Sequence, residues 1–180
     1  MSHITTYTGL HFDPTNPDID KINIKDIAHA LSLTCRGNGQ VKSFFSVASH
    51  CIYCCREAKL RGYSDRIVLA CLIHDASESY MSDVPRPFKK TLLSYIEKED
   101  ALLDLIYTKF LGSTLDESEK AIVKQIDDDL LYFDLTELLN QKIEGDVPLM
   151  NIKINYDFIP FEDVEKEYLE LFYKYYKGEK

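Results

Sequence analysis

The amino-acid sequence predicts an all-α protein, and two observations support this fold class. Apolar residues recur at intervals of three and four over most of the chain, which is the period of a helix with one buried face. Glycine, proline and other turn-forming residues separate these periodic segments, and no segment has a convincing sheet pattern. The chain has 180 residues and 45% hydrophobic content, so we predict one compact helical domain over residues 1–180.

The N-terminal segment, residues 4–24, is predicted to be irregular, with space for a short β-strand. It contains the turn-rich stretch Asp13-Pro14-Thr15-Asn16-Pro17-Asp18. The first helix is predicted over residues 26–33, where the apolar residues have helical spacing. It ends before Arg36-Gly37-Asn38-Gly39, because two glycines interrupt the helical pattern and leave Arg36 in a loop.

The second helix is predicted over residues 46–60. Gly62 follows it as a stop signal, and His50 lies in its first turns. Its predicted buried face consists of Val47, Cys51, Cys54 and Ala58. The Cys51-x-x-Cys54 spacing also occurs in zinc sites, but no second pair of this kind follows, so core packing is the favoured interpretation.

The third helix is predicted to begin at Ser64, which is a favourable N-cap residue. It is predicted to continue until Pro85 and Pro87 halt helical structure. His74 and Asp75 would therefore both belong to this helix.

Three further helices are predicted over residues 91–110, 116–143 and 161–177. Gly112 closes the first of them, and Thr114 with Glu117 forms a predicted capping box at the start of the second. Asp127 lies on the apolar face of that second helix. The last helix is amphipathic and rich in aromatic residues, which indicates either packing or a contact between subunits of a homo-oligomer.

Charge and composition limit the classes of partner. A formal net charge of −9 disfavours a nucleic-acid polymer or an anionic membrane as the binding partner. The N-terminus lacks a signal-peptide pattern, and no segment approaches the roughly 18 uninterrupted apolar residues of a membrane span. The five cysteines form a poor disulfide framework and fit a reducing compartment. We therefore expect a cytoplasmic protein that binds a small molecule.

Polar side chains interrupt the apolar faces of the predicted helices. At helical spacing, His74 and Glu78 continue the buried face of the third helix, while Asp127 lies among apolar residues of a later one. Burial of unpaired carboxylates is costly, so helices that turn such groups toward one core indicate a compensating cation. The predicted metal ligands are His50, His74, Asp75 and Asp127.

Two imidazoles and two carboxylates form a mixed nitrogen and oxygen donor set. It suits one divalent transition metal, such as Mn, Fe, Co, Ni or Zn, and disfavours Ca or a zinc ion held by thiolates. Four protein ligands leave a coordination position for water, and a metal-bound water can attack a phosphate ester. Asp128 is the alternative to Asp127, because the two residues are adjacent in a run of three aspartates.

The arrangement of these four residues resembles the metal-binding signature of the HD-domain phosphohydrolase superfamily. Five stretches of the chain resemble small bacterial and phage members, among them 5'-deoxynucleotidases. These stretches are residues 26–31, 45–50, 74–78, 83–87 and 123–127. The resemblance as a whole extends from about residue 5 to residue 135. The resemblance implies a compact HD-domain helical bundle and a metal-dependent phosphohydrolase that acts on nucleotides.

The resemblance also implies roles for three further residues. Glu78 and Asp83 would be catalytic, by positioning or activating the attacking water, and Arg36 would approach the substrate phosphate. Gly37 follows this arginine where the similar nucleotidases often carry a bulky aromatic residue, so base and sugar preference stays open. Simpler roles are a turn residue for Asp83 and a helix-end cation for Arg36.

Several functions remain open at this point. A nucleotide hydrolase could release one phosphate, as a 5'-nucleotidase, or triphosphate, as a deoxynucleoside triphosphate hydrolase. The same ligands would also suit a phosphodiesterase or an alarmone hydrolase with a roomier pocket. A metal-bearing nucleotide sensor without turnover is the alternative from another class.

Overall fold

A computed structural model of the chain describes residues 3–178 and confirms the all-α fold class. The helices are α1 (Ile24–Leu33), α2 (Val47–Leu60), α3 (Asp65–Leu72), α4 (Glu78–Met81), α5 (Arg86–Lys89), α6 (Leu93–Leu111), α7 (Glu117–Glu137) and α8 (Phe161–Tyr175). None of the helices within residues 3–178 combines the length and the apolar character of a membrane-spanning segment.

The N-terminal segment contains two short strands, where the sequence predicted an irregular segment with a possible short β-strand. Strands β1 (Ile4–Thr5) and β2 (His11–Phe12) pair in an antiparallel hairpin, with Ile4 opposite Phe12. The hairpin is fixed to the start of α1 by Asp26, whose carboxylate accepts hydrogen bonds from the backbone and the hydroxyl of Thr8. Phe12 is fully buried and stacks on Tyr80 of α4. The hairpin therefore caps the bundle beside α4.

Helix α2 occupies the centre of the bundle and packs against α1, α3, α7 and α8. Of its 14 residues, 11 are buried, so polar side chains on this helix must find partners inside the protein. The helix begins at Val47, after an N-cap in which the hydroxyl of Ser46 accepts a hydrogen bond from the backbone of Ser49. The predicted limits of this helix are confirmed, and His50 is fully buried in its first turn.

Helix α3 ends at Leu72, so the prediction that His74 and Asp75 lie within it is wrong. Nδ1 of His74 donates a hydrogen bond to the carbonyl of Cys71 at 2.8 Å, and that carbonyl would otherwise accept from the backbone of Asp75. Backbone bonds of the tighter i to i−3 type follow, from Ala76 to Ile73 and from Glu78 to Asp75. His74 and Asp75 therefore occupy a turn between α3 and α4.

The two prolines after α4 start a helix rather than only stopping one. Pro85 is the N-cap of α5, and Pro87 is its second residue, where a missing backbone N–H costs nothing. The chain does leave helical structure at Ser82, whose φ of 75° lies in the left-handed region. The predicted break is therefore real but shorter than expected.

Helices α6 and α7 match their predictions except at three ends. Gly112 closes α6 with a φ of 83°, as predicted. The capping box of α7 is formed by Asp116 and Glu119, not by the predicted Thr114 and Glu117. Helix α7 stops at Glu137, earlier than predicted, and a backbone bond from Gln141 to Leu135 closes its end. Helix α6 starts two residues later than predicted.

The last helix, α8, covers the apolar side of α1, α2 and α3. Its buried residues are Val164, Tyr168, Phe172 and Tyr175. Leu171, next to Phe172, is only half-buried. The hydroxyl of Tyr168 donates to the carbonyl of Leu72 at 2.8 Å and so ties α8 to the end of α3.

Residues 140–160 cross the bundle without forming a helix or a strand, and α2 holds them in place. The buried carboxylate of Glu57 accepts hydrogen bonds from the backbone of Asn151 and Ile152. The hydroxyl of Tyr53 accepts one from the backbone of Asn155 at 3.0 Å. This irregular segment therefore has a fixed path, which brings Tyr156 to the side of the bundle where α2 and α7 meet.

Candidate metal centre

The structure brings the four predicted metal ligands together on three elements. His50 comes from α2, His74 and Asp75 come from the turn after α3, and Asp127 comes from α7. Nε2 of His50 lies 3.1 Å from a carboxylate oxygen of Asp127. Nε2 of His74 lies 3.3 Å from Asp75 and 3.7 Å from the same oxygen of Asp127. The two imidazole rings have centroids 5.4 Å apart.

The hydrogen bonds of the two imidazoles fix which nitrogen faces the cluster. A carbonyl oxygen can only accept, so Nδ1 of His74 donates to Cys71, and in the neutral ring Nε2 carries a lone pair. Nδ1 of His50 lies 2.9 Å from the carboxylate of Asp134, and it donates to that carboxylate in the tautomer that leaves Nε2 without a proton. Both Nε2 lone pairs are therefore directed at carboxylate oxygens, which are also acceptors. Such an arrangement needs a cation between the groups, either a proton or a metal ion.

Nε2 of His74 is the clearest sign of this requirement. The residue is 9% exposed, and its Nε2 is buried with no hydrogen-bond partner among the described residues. Burial of an unsatisfied polar atom costs about 1–3 kcal/mol. The donor types, their burial and this orphaned nitrogen fit a divalent transition metal.

The pKa values of His74 and Asp127 indicate how the site is charged when protons are its only cations. Burial lowers the pKa of His74, but the carboxylate of Asp75 and the neighbouring groups outweigh it, so the pKa is raised well above its ordinary value. Burial raises the pKa of Asp127, but the nearby imidazoles of His50 and His74 outweigh that effect and hold the pKa well below its ordinary value. The site therefore favours cationic imidazole and anionic carboxylate.

Asp134 supports the cluster from behind and was not among the predicted site residues. It is 2% exposed, and it accepts hydrogen bonds from Nδ1 of His50 and from Arg36 at 3.2 Å. The hydroxyl of Tyr156 donates to its second oxygen at 2.9 Å. Its position seven residues after Asp127, on the same face of α7, is the sequence signal that could have found it, but no local pattern indicates these three partners.

Arg36, the residue predicted to approach the substrate phosphate, lies beside the cluster. Its side chain is mostly buried and also reaches Asp75 at 3.5 Å. Burial lowers the pKa of this guanidinium, but Asp134 and Asp75 outweigh it, so the pKa is raised and the charge is permanent. Gly37 has a φ of 58°, in the left-handed region that favours glycine. The tight turn that aims Arg36 inward therefore explains why glycine follows it.

Glu78 and Asp83 lie on the α4 side of the cluster. Glu78 is buried, and its Oε2 has no hydrogen-bond partner within the described part of the chain. Burial raises its pKa well above the ordinary value, and the charges of Asp75 and Asp83 add to this effect. Burial likewise raises the pKa of Asp83, although Arg36 opposes the shift. The two carboxyl groups therefore share one corner of the site, where burial favours their neutral forms.

A second arginine, Arg86, contacts the cluster from the surface and was not predicted as a site residue. It donates to the Oδ2 atom of Asp127 at 2.7 Å and to Asp128 at 3.0 Å, while its side chain is 52% exposed. Asp128 also pairs with Lys124, and within residues 3–178 it forms no hydrogen bond or ion pair with either imidazole. Asp127 rather than Asp128 therefore belongs to the cluster.

The cysteines are free thiols, and Cys51 and Cys54 of α2 are buried as predicted. The structure adds a contact that the packing interpretation did not include. Sγ of Cys54 lies 3.4 Å from Nε2 of His50, on the side of the ring that faces the cluster. Their spacing of four residues on α2 was the available sequence signal.

No protein-family model matches the sequence. The chain is similar to the uncharacterized protein YfdR of Escherichia coli, at 36% identity over 110 residues, which are 61% of this chain and 59% of YfdR. It is also similar to an uncharacterized protein of Rhodobacter capsulatus, at 35% identity over 122 residues, or 64% of this chain and 60% of that protein. The chain thus spans about three fifths of the length of these curated relatives.

Proposed function

We propose that the protein is a metal-dependent phosphohydrolase that acts on nucleotides, with an HD-type centre formed by His50, His74, Asp75 and Asp127. One observation carries this proposal. The Nδ1 atoms of both imidazoles donate to fixed acceptors, so that both Nε2 lone pairs meet carboxylate oxygens across distances of 3.1 to 3.7 Å. A divalent cation satisfies all of these donors at once.

A bound divalent metal would supply a water of lowered pKa and a positive charge for a phosphoryl oxygen. The chain's own residues would do the rest. Arg36 has a permanent charge and uses two of its five N–H donors in its carboxylate contacts, so further donors remain for a phosphate oxygen. Arg86, half-exposed at the surface of the cluster, would supply a second positive charge at the same opening.

Proton transfer would fall to Glu78 and Asp83. Burial favours the neutral form of Glu78, so this carboxyl can hold a proton near the reacting phosphate and release it to a leaving group. Asp83 is the neighbouring carboxyl with which Glu78 would share that proton. Their roles come from the resemblance to HD hydrolases, and their burial beside Asp75 supports them.

The charge of the chain indicates the kind of substrate. The acidic chain, with a net charge of −9, favours a small phosphorylated ligand over a nucleic-acid polymer, because only the local arginines attract phosphate. A cytoplasmic protein would meet such ligands, and a homo-oligomer is compatible with the aromatic face of α8. Diesterase and alarmone hydrolase activities use the same metal chemistry and are separate outcomes of the test below.

The test measures phosphate, triphosphate and nucleoside release from ribo- and deoxyribonucleotide mono- and triphosphates, and cleavage of phosphodiester and alarmone substrates, with Mn, Co, Mg and Zn supplied separately. We expect metal-dependent release with the wild-type protein, none with Asp75→Ala, and nearly normal release with the matched surface variant Asp128→Ala. Diester cleavage alone would redirect the assignment to a phosphodiesterase. Bound metal and bound nucleotide without turnover of any substrate would leave the sensor function and refute the hydrolase.

A further inference from the structure

We infer that the thiol of Cys54 is a further metal ligand of this centre, which gives it a His50–His74–Cys54 donor set for thiophilic divalent cations such as Zn, Co and Cd. This inference rests on the metal centre of the proposed function and deepens it. The predicted set of two imidazoles and two aspartates accepts any of several divalent transition metals. A thiolate in the same space would select among them.

The distances match those of two ligands on one metal ion. Sγ of Cys54 lies 3.4 Å from Nε2 of His50. Two donors bound to one tetrahedral zinc at their usual lengths are about 3.5 Å apart. The ligand atoms of His50, Cys54 and His74 all lie within 4.8 Å of one another, so one ion can reach all three.

The helix itself sets the His50–Cys54 pair. The two residues are four apart on α2, so their side chains lie one above the other on the same helix face. Both are essentially fully buried, at 0% and 1% exposure, in the most enclosed helix of the bundle. Their separation is therefore fixed by packing, and metal binding requires no movement of the backbone.

A second, independent observation points to a ligand in the same space. Nε2 of His74 is buried and lacks a hydrogen-bond partner within residues 3–178, while its other nitrogen is held by the carbonyl of Cys71. The ring cannot turn to satisfy Nε2 without losing that 2.8 Å bond. A cation between the two imidazoles and the thiol would complete the coordination of this nitrogen.

The neighbouring cysteines provide internal comparisons. The thiol of Cys51, the imidazole of His74 and the carboxylate of Asp75 also have ligand atoms within 4.8 Å of one another. Cys55 is equally buried, at 1% exposure, but it belongs to neither of these groups. Cys51 is therefore the competing thiol ligand, and Cys55 is the matched control that leaves the centre untouched.

Cobalt titration of the full chain tests the inference, because Co²⁺ reports its ligands in its absorption spectrum. Visible ligand-field bands report bound Co²⁺, and a near-ultraviolet charge-transfer band reports a cobalt–thiolate bond. Formation of that bond replaces the S–H bond, and the proton passes to the buffer. We expect both sets of bands with the wild-type protein and with Cys55→Ala, and loss of the near-ultraviolet band alone with Cys54→Ala.

The possible outcomes separate this inference from the metal centre itself. Visible bands without a charge-transfer band in the wild-type protein would refute the Cys54 ligand and leave the centre standing. A charge-transfer band that survives in Cys54→Ala and disappears in Cys51→Ala would assign the ligand to Cys51 instead. Absence of any bound cobalt would overturn both proposals. The wild-type spectrum decides the first point without a variant, so a poorly folding substitution does not obscure it.

Discussion

The carboxylate of Asp134 accepts a hydrogen bond from Nδ1 of His50 at 2.9 Å, and the two residues are 2% and 0% exposed. This contact joins α7 to α2 and fixes the tautomer of the imidazole. Metal-binding histidines generally donate their second ring nitrogen to such a partner, which orients the ring and raises its basicity. Under the proposed function, Asp134 is therefore a positioning residue that would act on the metal centre through His50.

Replacement of Asp134 by Asn should weaken metal binding while leaving all four predicted ligands in place. The amide is uncharged, so it stabilises the donating His50 ring less than a carboxylate does. We expect metal affinity to fall about 10- to 100-fold, measured by calorimetric titration with Mn²⁺. Asp128→Asn on the same helix is the control and should bind Mn²⁺ as the wild-type protein does. Equal affinity for Asp134→Asn would show that the contact is only structural.

Glu78→Gln should separate metal binding from turnover. Glu78 is buried beside Asp75, and Gln keeps its shape while removing the exchangeable proton of the carboxyl. We expect normal metal content and a kcat lowered about 10²- to 10⁴-fold on whichever nucleotide proves to be hydrolysed. Glu97, exposed on α6, supplies the control Glu97→Gln with unchanged kcat. Wild-type turnover in Glu78→Gln would assign proton transfer to another group.

Glu57→Gln should destabilise the fold without touching the metal centre. The fully buried carboxylate accepts hydrogen bonds from Arg61, Asn151 and Ile152, and loss of its charge weakens all of them. We expect the free energy of unfolding to fall by about 1–3 kcal/mol at neutral pH, measured by urea denaturation. The exposed Glu170→Gln should change it by less than about 0.5 kcal/mol. A similar small change in Glu57→Gln would contradict the prediction.

The effect of Glu57 should also depend on pH. Burial raises the pKa of this carboxyl, but hydrogen bonds from Arg61 and Asn151 outweigh it, so the folded-state pKa is lowered. A lowered folded-state pKa means that the stabilisation is complete above the ordinary value of 4.5 and is lost as the pH falls through the lower folded-state value. The stability difference between wild type and Glu57→Gln should therefore shrink below about pH 4.5. A difference that grew with acidity would reverse the assignment.

Arg86→Ala should strengthen metal binding slightly. Arg86 donates to one oxygen of Asp127 while the other oxygen faces the imidazoles, so its charge competes for the same carboxylate. The pair is half-exposed and worth no more than about 1 kcal/mol, which sets a limit of about fivefold on the gain in affinity. Arg56→Ala, which removes a surface pair with Glu167 on α8, is the control. Lower metal affinity in Arg86→Ala would mean that Arg86 supports the centre.

The sequence located the helices well where its signals were local. Ser46 and Gly62 delimit α2, and Gly112 ends α6, because N-caps and left-handed stop residues act within one turn. The end of α3 was missed because it depends on the His74 imidazole, which takes a backbone carbonyl from the helix. Hydrophobic period alone continues the helix through that point and cannot register this competition.

The sequence by itself determined the all-α fold and the residue types of the centre, because helical period and the cost of buried charge are written in local patterns. Only the tertiary structure decided which nitrogen of each imidazole faces the cluster, that Asp134 supports it from behind, and that Cys54 borders it. Those choices depend on contacts such as His50 with Asp134, which are 84 residues apart in the chain. Such contacts form only when packing brings separate helices together, so no local pattern specifies them.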